Sequence, residues 1–177
     1  MIRRLQFTIF SVFLVFVAMT TAFAEAPPTV YKSKKSLFSF NVPANWEAKE
    51  TNEGMEVTVT APVQEHAPNQ YRPNARISME VLVKDQTMAE YSQTAIAKLR
   101  TRLTDLKFLK TGRQGMSNNN ARWWLITYRE KSVTVKGVLF IVLKGRKAVT
   151  ISSVAAIEQY QAYKEALSDF GESLTIY

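Results

Sequence analysis

Residues 121–156 read ARWWLITYREKSVTVKGVLFIVLKGRKAVTISSVAA, and the fold turns on them. Ala121–Lys131 and Val133–Lys144 each predict a strand. Near the middle of both, successive residues are apolar, so both faces must be covered, as in the centre of a sheet. Lys144-Gly145-Arg146-Lys147 predicts a tight hairpin turn, with glycine supplying a backbone angle that other residues resist. Ala148–Ala156, rich in small and β-branched side chains, predicts a third central strand. Strands joined by turns this short must run antiparallel.

Working outward, Ser117-Asn118-Asn119-Asn120 predicts a turn, because Asn tolerates positive φ and bonds to its own backbone. Gly112 and Gly115 predict a bent or bulged strand before it. Thr87-Met88-Ala89-Glu90 is a capping box, in which hydroxyl and carboxylate satisfy backbone donors at a helix start. Met88, Tyr91, Ala95, Ile96, Leu99, Leu103 and Leu106 then keep helical spacing, with Lys98, Arg100, Arg102 and Asp105 outside. Upstream, Ala75–Lys84 alternates and places Ile77, Met79, Val81 and Val83 on one face of a strand. Met55–Ala61 and Leu37–Val42 also alternate, the latter ended by Pro43 and a turn at Asn45. Pro62–Pro73 is the longest loop, and Glu25–Lys35 reads as an extended or mobile leader. Downstream, Ile157–Leu174 predicts a helix with Tyr160, Tyr163, Leu167, Phe170 and Leu174 on one stripe. The order strands, helix, strands, helix predicts an α+β domain over residues 36–177. Its mainly antiparallel sheet is flanked by helices on opposite faces, an α/β/α sandwich.

The first 24 residues predict a secretory signal. Arg3 and Arg4 hold the start inside, the apolar run Leu5–Ala18 enters the translocon, and Ala22-Phe23-Ala24 suits the cleaving peptidase. The rival reading is an uncleaved membrane anchor. No cysteine stands at the cut, so a bacterial lipoprotein anchor is excluded. The expected location is periplasmic or secreted, and the signal suits a Gram-negative periplasm.

About 150 residues remain after the cut, enough for one core without covalent staples. The chain has no cysteine, which excludes disulfides, thiol nucleophiles and Cys-based metal sites. Its one histidine, His66, lies in the Pro-rich loop and reads as an exposed residue rather than a catalytic base. No G-x-S-x-G elbow, phosphate-cradling glycine motif or calcium loop occurs. Glu47 with Glu50 and Glu53 with Glu56 read as solvated surface. No enzyme activity and no cofactor are therefore expected. The formal charge of +8 becomes +6 once Arg3 and Arg4 are removed, favouring acidic proteins, anionic head groups or polyanionic glycans. Export makes nucleic acid an unsuitable target. Simple solubility accounts for the charge equally well.

Arg122, Trp123, Trp124, Tyr128, Arg129 and Lys131 share one predicted strand. Alternation sends the two tryptophans to opposite faces, where core packing is the first expectation for both. Trp124 beside Arg122 or Arg129 is a candidate partner contact through ring stacking or cation–π attraction. Tyr71 and Arg72 in the long loop form a second candidate patch, since aromatic and Arg side chains anchor interfaces.

Phe38-Ser39-Phe40-Asn41-Val42-Pro43-Ala44-Asn45-Trp46 resembles the opening F-x-F-x-x-P-x-x-W of the PsbP family and its exported bacterial DcrB-like relatives. Met88-Ala89-Glu90-Tyr91 resembles the start of that family's middle helix. Ile151–Ala156 with Tyr160, Tyr163, Phe170 and Ser173-Leu174 resembles its final strand and helix. The resemblance spans Leu37 to Ile176 and implies an antiparallel sheet between helices. It also implies an accessory or binding role without catalysis, and transfers no catalytic residue. The expected partner is an envelope protein or membrane-associated complex, acidic in character, with a membrane surface also suitable. The alternative is a carrier holding a lipid or other small hydrophobic ligand between helix and sheet, where Trp123, Phe140 and Tyr163 would line the cavity, although close-packed core is the first expectation for each.

Overall fold

The computed structural model describes residues 27–177 except 36, 52–53, 65–69 and 117–118. The export signal at 1–24, His66, Glu53 and Ser117-Asn118 of the expected turn lie outside the described residues.

Seven strands form one antiparallel sheet. In chain order they are β3 (Glu47–Thr51), β4 (Glu56–Thr60), β5 (Asn74–Val81), β6 (Thr104–Met116), β7 (Asn119–Glu130), β8 (Val133–Lys144) and β9 (Lys147–Ala156). Their order across the sheet is β3-β4-β5-β9-β8-β7-β6. A second sheet of three strands places β2 (Phe38–Val42) between β1 (Thr29–Lys32) and β10 (Thr175–Ile176). Two helices complete the fold, α1 (Met88–Arg102) and α2 (Tyr160–Glu172).

The expected α+β architecture, an antiparallel sheet with helices on opposite faces, is the one observed. On β8, Leu139, Ile141 and Leu143 pack with Tyr91 and Ala95 of α1. Val138, Phe140 and Val142, pointing the other way, pack with Phe170 of α2 and with Phe38 and Phe40 of the small sheet. Both faces of β8 are thus apolar because each has its own cover. The α2 side carries two, since the helix and the small sheet lie over it together. Phe170 meets Phe40 edge-on at 6.0 Å and Trp46 at 5.7 Å, joining helix to both sheets. The buried Ser153 hydroxyl adds a polar tie, donating to the Leu167 carbonyl of α2 at 2.7 Å.

Several local expectations are corrected. The leader is not wholly free: Thr29–Lys32 pairs antiparallel with Ser39–Val42, and Tyr31 stacks on Phe40 at 5.0 Å. β3 carries no alternating pattern because Glu47, Ala48 and Lys49 are all exposed on an outermost strand. β5 ends at Val81, so Val81 and Val83 are 57% and 96% exposed, and Leu82 turns inward instead. The capping box forms as expected, with Glu90 N–H donating to the Thr87 hydroxyl. The helix nevertheless stops at Arg102, four residues short of Leu106. Asp105 takes φ 56° and the chain enters β6, where Leu106 and Phe108 pack towards α1. The segment's apolar residues satisfy both periods, and the ladder offered by β7 decides for the strand. The irregularities of β6 lie between Thr104 and Lys110, ahead of the glycines held responsible for them. Gly112 serves a close approach: a side-chain carbon there would lie 2.5 Å from the Trp123 ring.

Candidate interaction surface

The five residues marked from the sequence do not form one surface. Trp124 is only 8% exposed and packs with Ile126, Leu139 and α1, so its ring has no outer face to offer. Arg72 is turned to local structure, its Nε donating to the Ala61 carbonyl at 2.8 Å. Tyr71 donates its hydroxyl to Glu130 at 2.7 Å and accepts from the Asn74 amide at 3.1 Å, which pins the loop to the end of β7. Arg129 pairs with Asp105 at 3.4 Å, both groups well exposed. Arg122 is half-buried near the far end of the same strand, about 23 Å from Arg129 at strand spacing.

Arg122 has company that the sequence did not disclose. Strand pairing sets it directly opposite Arg113 of β6. Two like charges in that position repel, and no carboxylate among the described residues pairs with either. Lys107 and Lys110 lie exposed along the same outermost strand, also without an ion pair among the described residues. From α1, Arg100 covers the Phe108 ring at 5.6 Å. The nearby acids are engaged, Asp105 with Arg129 and Glu130 with Tyr71. Cations at 107, 110 and 113 repeat every third residue, which was readable. That they sit on a sheet edge, Arg113 opposite Arg122 and Lys107 and Lys110 on the other face, was not, because it depends on strand order.

Trp123, Phe140 and Tyr163, which the carrier alternative would set around a ligand, fill space, the first expectation for each. Phe140 lies against Gly171, where any side-chain carbon would come within 2.4 Å of its ring. Tyr163 meets Trp46 edge-on at 6.0 Å and accepts a hydrogen bond from Gln64. Trp123 covers Gly112. A groove of about 690 Å³ lies elsewhere, between Pro27, Pro43 and the charged outer face of α2 with Lys164, Glu165 and Asp169. Among the described residues, no group of three or more His, Asp or Glu side chains could hold a metal ion. No described helix is long and apolar enough to cross a membrane.

Three tyrosines border the α1 side of the sheet. Burial pushes the Tyr91 and Tyr128 phenols up to about 12, and burial with the Glu130 hydrogen bond raises Tyr71 further. An unfolded tyrosine ionises near 10, so the folded state holds these phenols neutral where the unfolded chain loses its protons. Their contribution is present in full below pH about 10 and disappears as the pH climbs through about 12. For Tyr128 alone it amounts to about 3 kcal/mol at most. Urea midpoints should therefore fall steeply over that window, and more shallowly in Tyr128→Phe. Equal slopes in the two proteins would show that Tyr128 is not held neutral.

The architecture is the PsbP-like α+β fold. Cyanobacterial PsbP from Synechocystis sp. PCC 6803 superposes with a TM-score of 0.63 at 10% identity, over 91% of this chain and 99% of that one. LpqN of Mycobacterium tuberculosis, involved in cell envelope biogenesis, gives 0.64 at 15% identity over 85% and 90%. The Ran-binding protein Mog1p of Saccharomyces cerevisiae gives 0.60 at 9% identity over 85% and 95%. No family model and no curated protein sequence matches the chain.

Proposed function

We propose that this chain is an exported, non-enzymatic accessory domain of the cell envelope that engages an acidic protein or protein complex. The observation that carries the reading is the row of cations along β6 and at Arg122, without an ion pair among the described residues and beside acids already engaged within the fold. Charges aligned without local counterions raise the rate and selectivity of meeting an acidic partner. Support for the envelope comes from the signal-like first 24 residues and from the part that LpqN, of the same fold, takes in cell envelope biogenesis. Support for binding comes from the same fold in a Ran-binding protein.

The test is recovery of the tagged full chain from its host envelope after brief cross-linking, at low and high salt. The expected result is one stoichiometric protein that is lost at high salt. Recovery of no protein at either salt would overturn the reading.

A further inference from the structure

β6 is the outermost strand of the seven-stranded sheet and, at 13 residues, more than twice the length of β3 at the other edge. An outermost strand leaves alternate N–H and C=O groups unpaired along its free side, a template for another strand. The two ends of the sheet are not equivalent. β3 has five residues, and its Glu50 accepts from the Lys34 backbone N–H at 3.2 Å. β6 bends in its first half, where the register with β7 shifts twice before Lys110. From Lys110 to Met116 it pairs with Leu125–Asn119 without a break, a stretch as long as an ordinary strand. Leu109, 53% exposed between Lys107 and Lys110, offers an apolar side chain beside the charges.

We infer that the Lys110–Met116 edge of β6 accepts an extended acidic segment of a partner protein as an added antiparallel or parallel strand. The inference rests on the accessory reading above and specifies its surface and its mode. Main-chain hydrogen bonding supplies the docking geometry, and the cations supply the selection. Lys107, Lys110 and Arg113 repel the same edge of a second copy, so β6 does not pair with itself. Lys110 and Arg113, three residues apart in an unbroken stretch, point to opposite faces of the sheet. A strand carrying carboxylates on both faces therefore meets no such barrier, and the carboxylate beside Arg113 relieves its repulsion with Arg122. An unpaired edge favours a polypeptide over a lipid surface, which has no main chain to offer it.

The test uses the full chain and a labelled peptide of about ten residues repeating Glu-Glu-Val-Val, which sets carboxylates on both faces of an added strand. Fluorescence anisotropy reads its binding at low and high salt, and amide exchange reads protection of β6. The expected result is saturable binding that slows exchange in residues 110–116. It should weaken about tenfold or more in Lys110→Glu/Arg113→Glu, and be lost when alternate peptide nitrogens are methylated. Lys164→Glu, on the exposed face of α2, should leave it unchanged and so guards against a general charge effect. Equal binding of the methylated peptide would overturn strand addition, as would its absence for the unmodified one. Charge-sensitive binding to phosphatidylglycerol vesicles without peptide binding would assign the edge to a lipid surface and overturn the inference. So would self-association of the chain through β6. A partner recovered equally by wild type and Lys110→Glu/Arg113→Glu would overturn this surface alone and leave the accessory function standing.

Discussion

Gly137→Ala is expected to leave little folded protein at ordinary temperature. Gly137 sits inside β8, opposite Val154 of β9 and Ile126 of β7. A side-chain carbon there would lie 1.9 Å from the Ser153 carbonyl oxygen and 2.7 Å from the Val154 α-carbon. Both obstacles are backbone atoms of a central strand, so no rotamer change relieves them. Ordinary overpacking costs about 1–3 kcal/mol because neighbouring side chains give way. Here the ladder itself must part, so the cost exceeds about 3 kcal/mol against a typical total stability of about 5–15 kcal/mol. Gly145→Ala is the comparison. Nothing lies within 4 Å of its added carbon, and only its φ of +55° resists the change, at about 1 kcal/mol. Urea unfolding of both variants separates the two causes. Similar midpoints for Gly137→Ala and Gly145→Ala would refute the close approach of β8 to β9.

Phe170→Ala is expected to be the most damaging side-chain truncation in α2. Phe170 is fully buried and touches Phe40 of the small sheet and Trp46 just before β3. Removing a buried phenylalanine costs about 3–5 kcal/mol through lost transfer energy and the cavity left behind. The same change frees one face of the Trp46 indole, so Trp46 fluorescence should shift to longer wavelength in the folded variant. A small stability loss with an unmoved spectrum would mean that α2 does not join the two sheets. β6 lies at the far edge of the large sheet, so folded Phe170→Ala should retain binding of the acidic peptide.

The two substitutions probe features of unequal visibility in the sequence. Phe170 lies on a stripe with Tyr160, Tyr163 and Leu167 that is plain from spacing alone. Gly137 is one glycine in an apolar strand, and its closeness to Ser153 is a property of the pairing between β8 and β9. The candidate surface divides in the same way. Arg122 was marked because it precedes two tryptophans, while Trp124 proved to be core and Arg72 and Arg129 proved to have partners within the fold. The edge position of the β6 cations is not legible in the sequence, because the segment before them keeps helical spacing as far as Leu106. Until that helix stops at Arg102, there is no edge for Lys107 and Lys110 to occupy.

Periodicity and local bonding are carried by neighbours in the chain, so they survive reading in one dimension. On that basis alone β2, β4, the β7–β8–β9 meander, the capped start of α1, the stripe of α2 and the opposite faces of Trp123 and Trp124 were legible. So was the α+β class. Strand order is set by which ladders close over long separations in sequence, and no local pattern encodes it. β1 and β10 exist because β2 has two open sides, and β3 because β4 has one. The end of α1 is settled by competition with β7 for the same residues. The basic edge follows from that competition, because a cation is unpaired only relative to what the folded chain sets beside it.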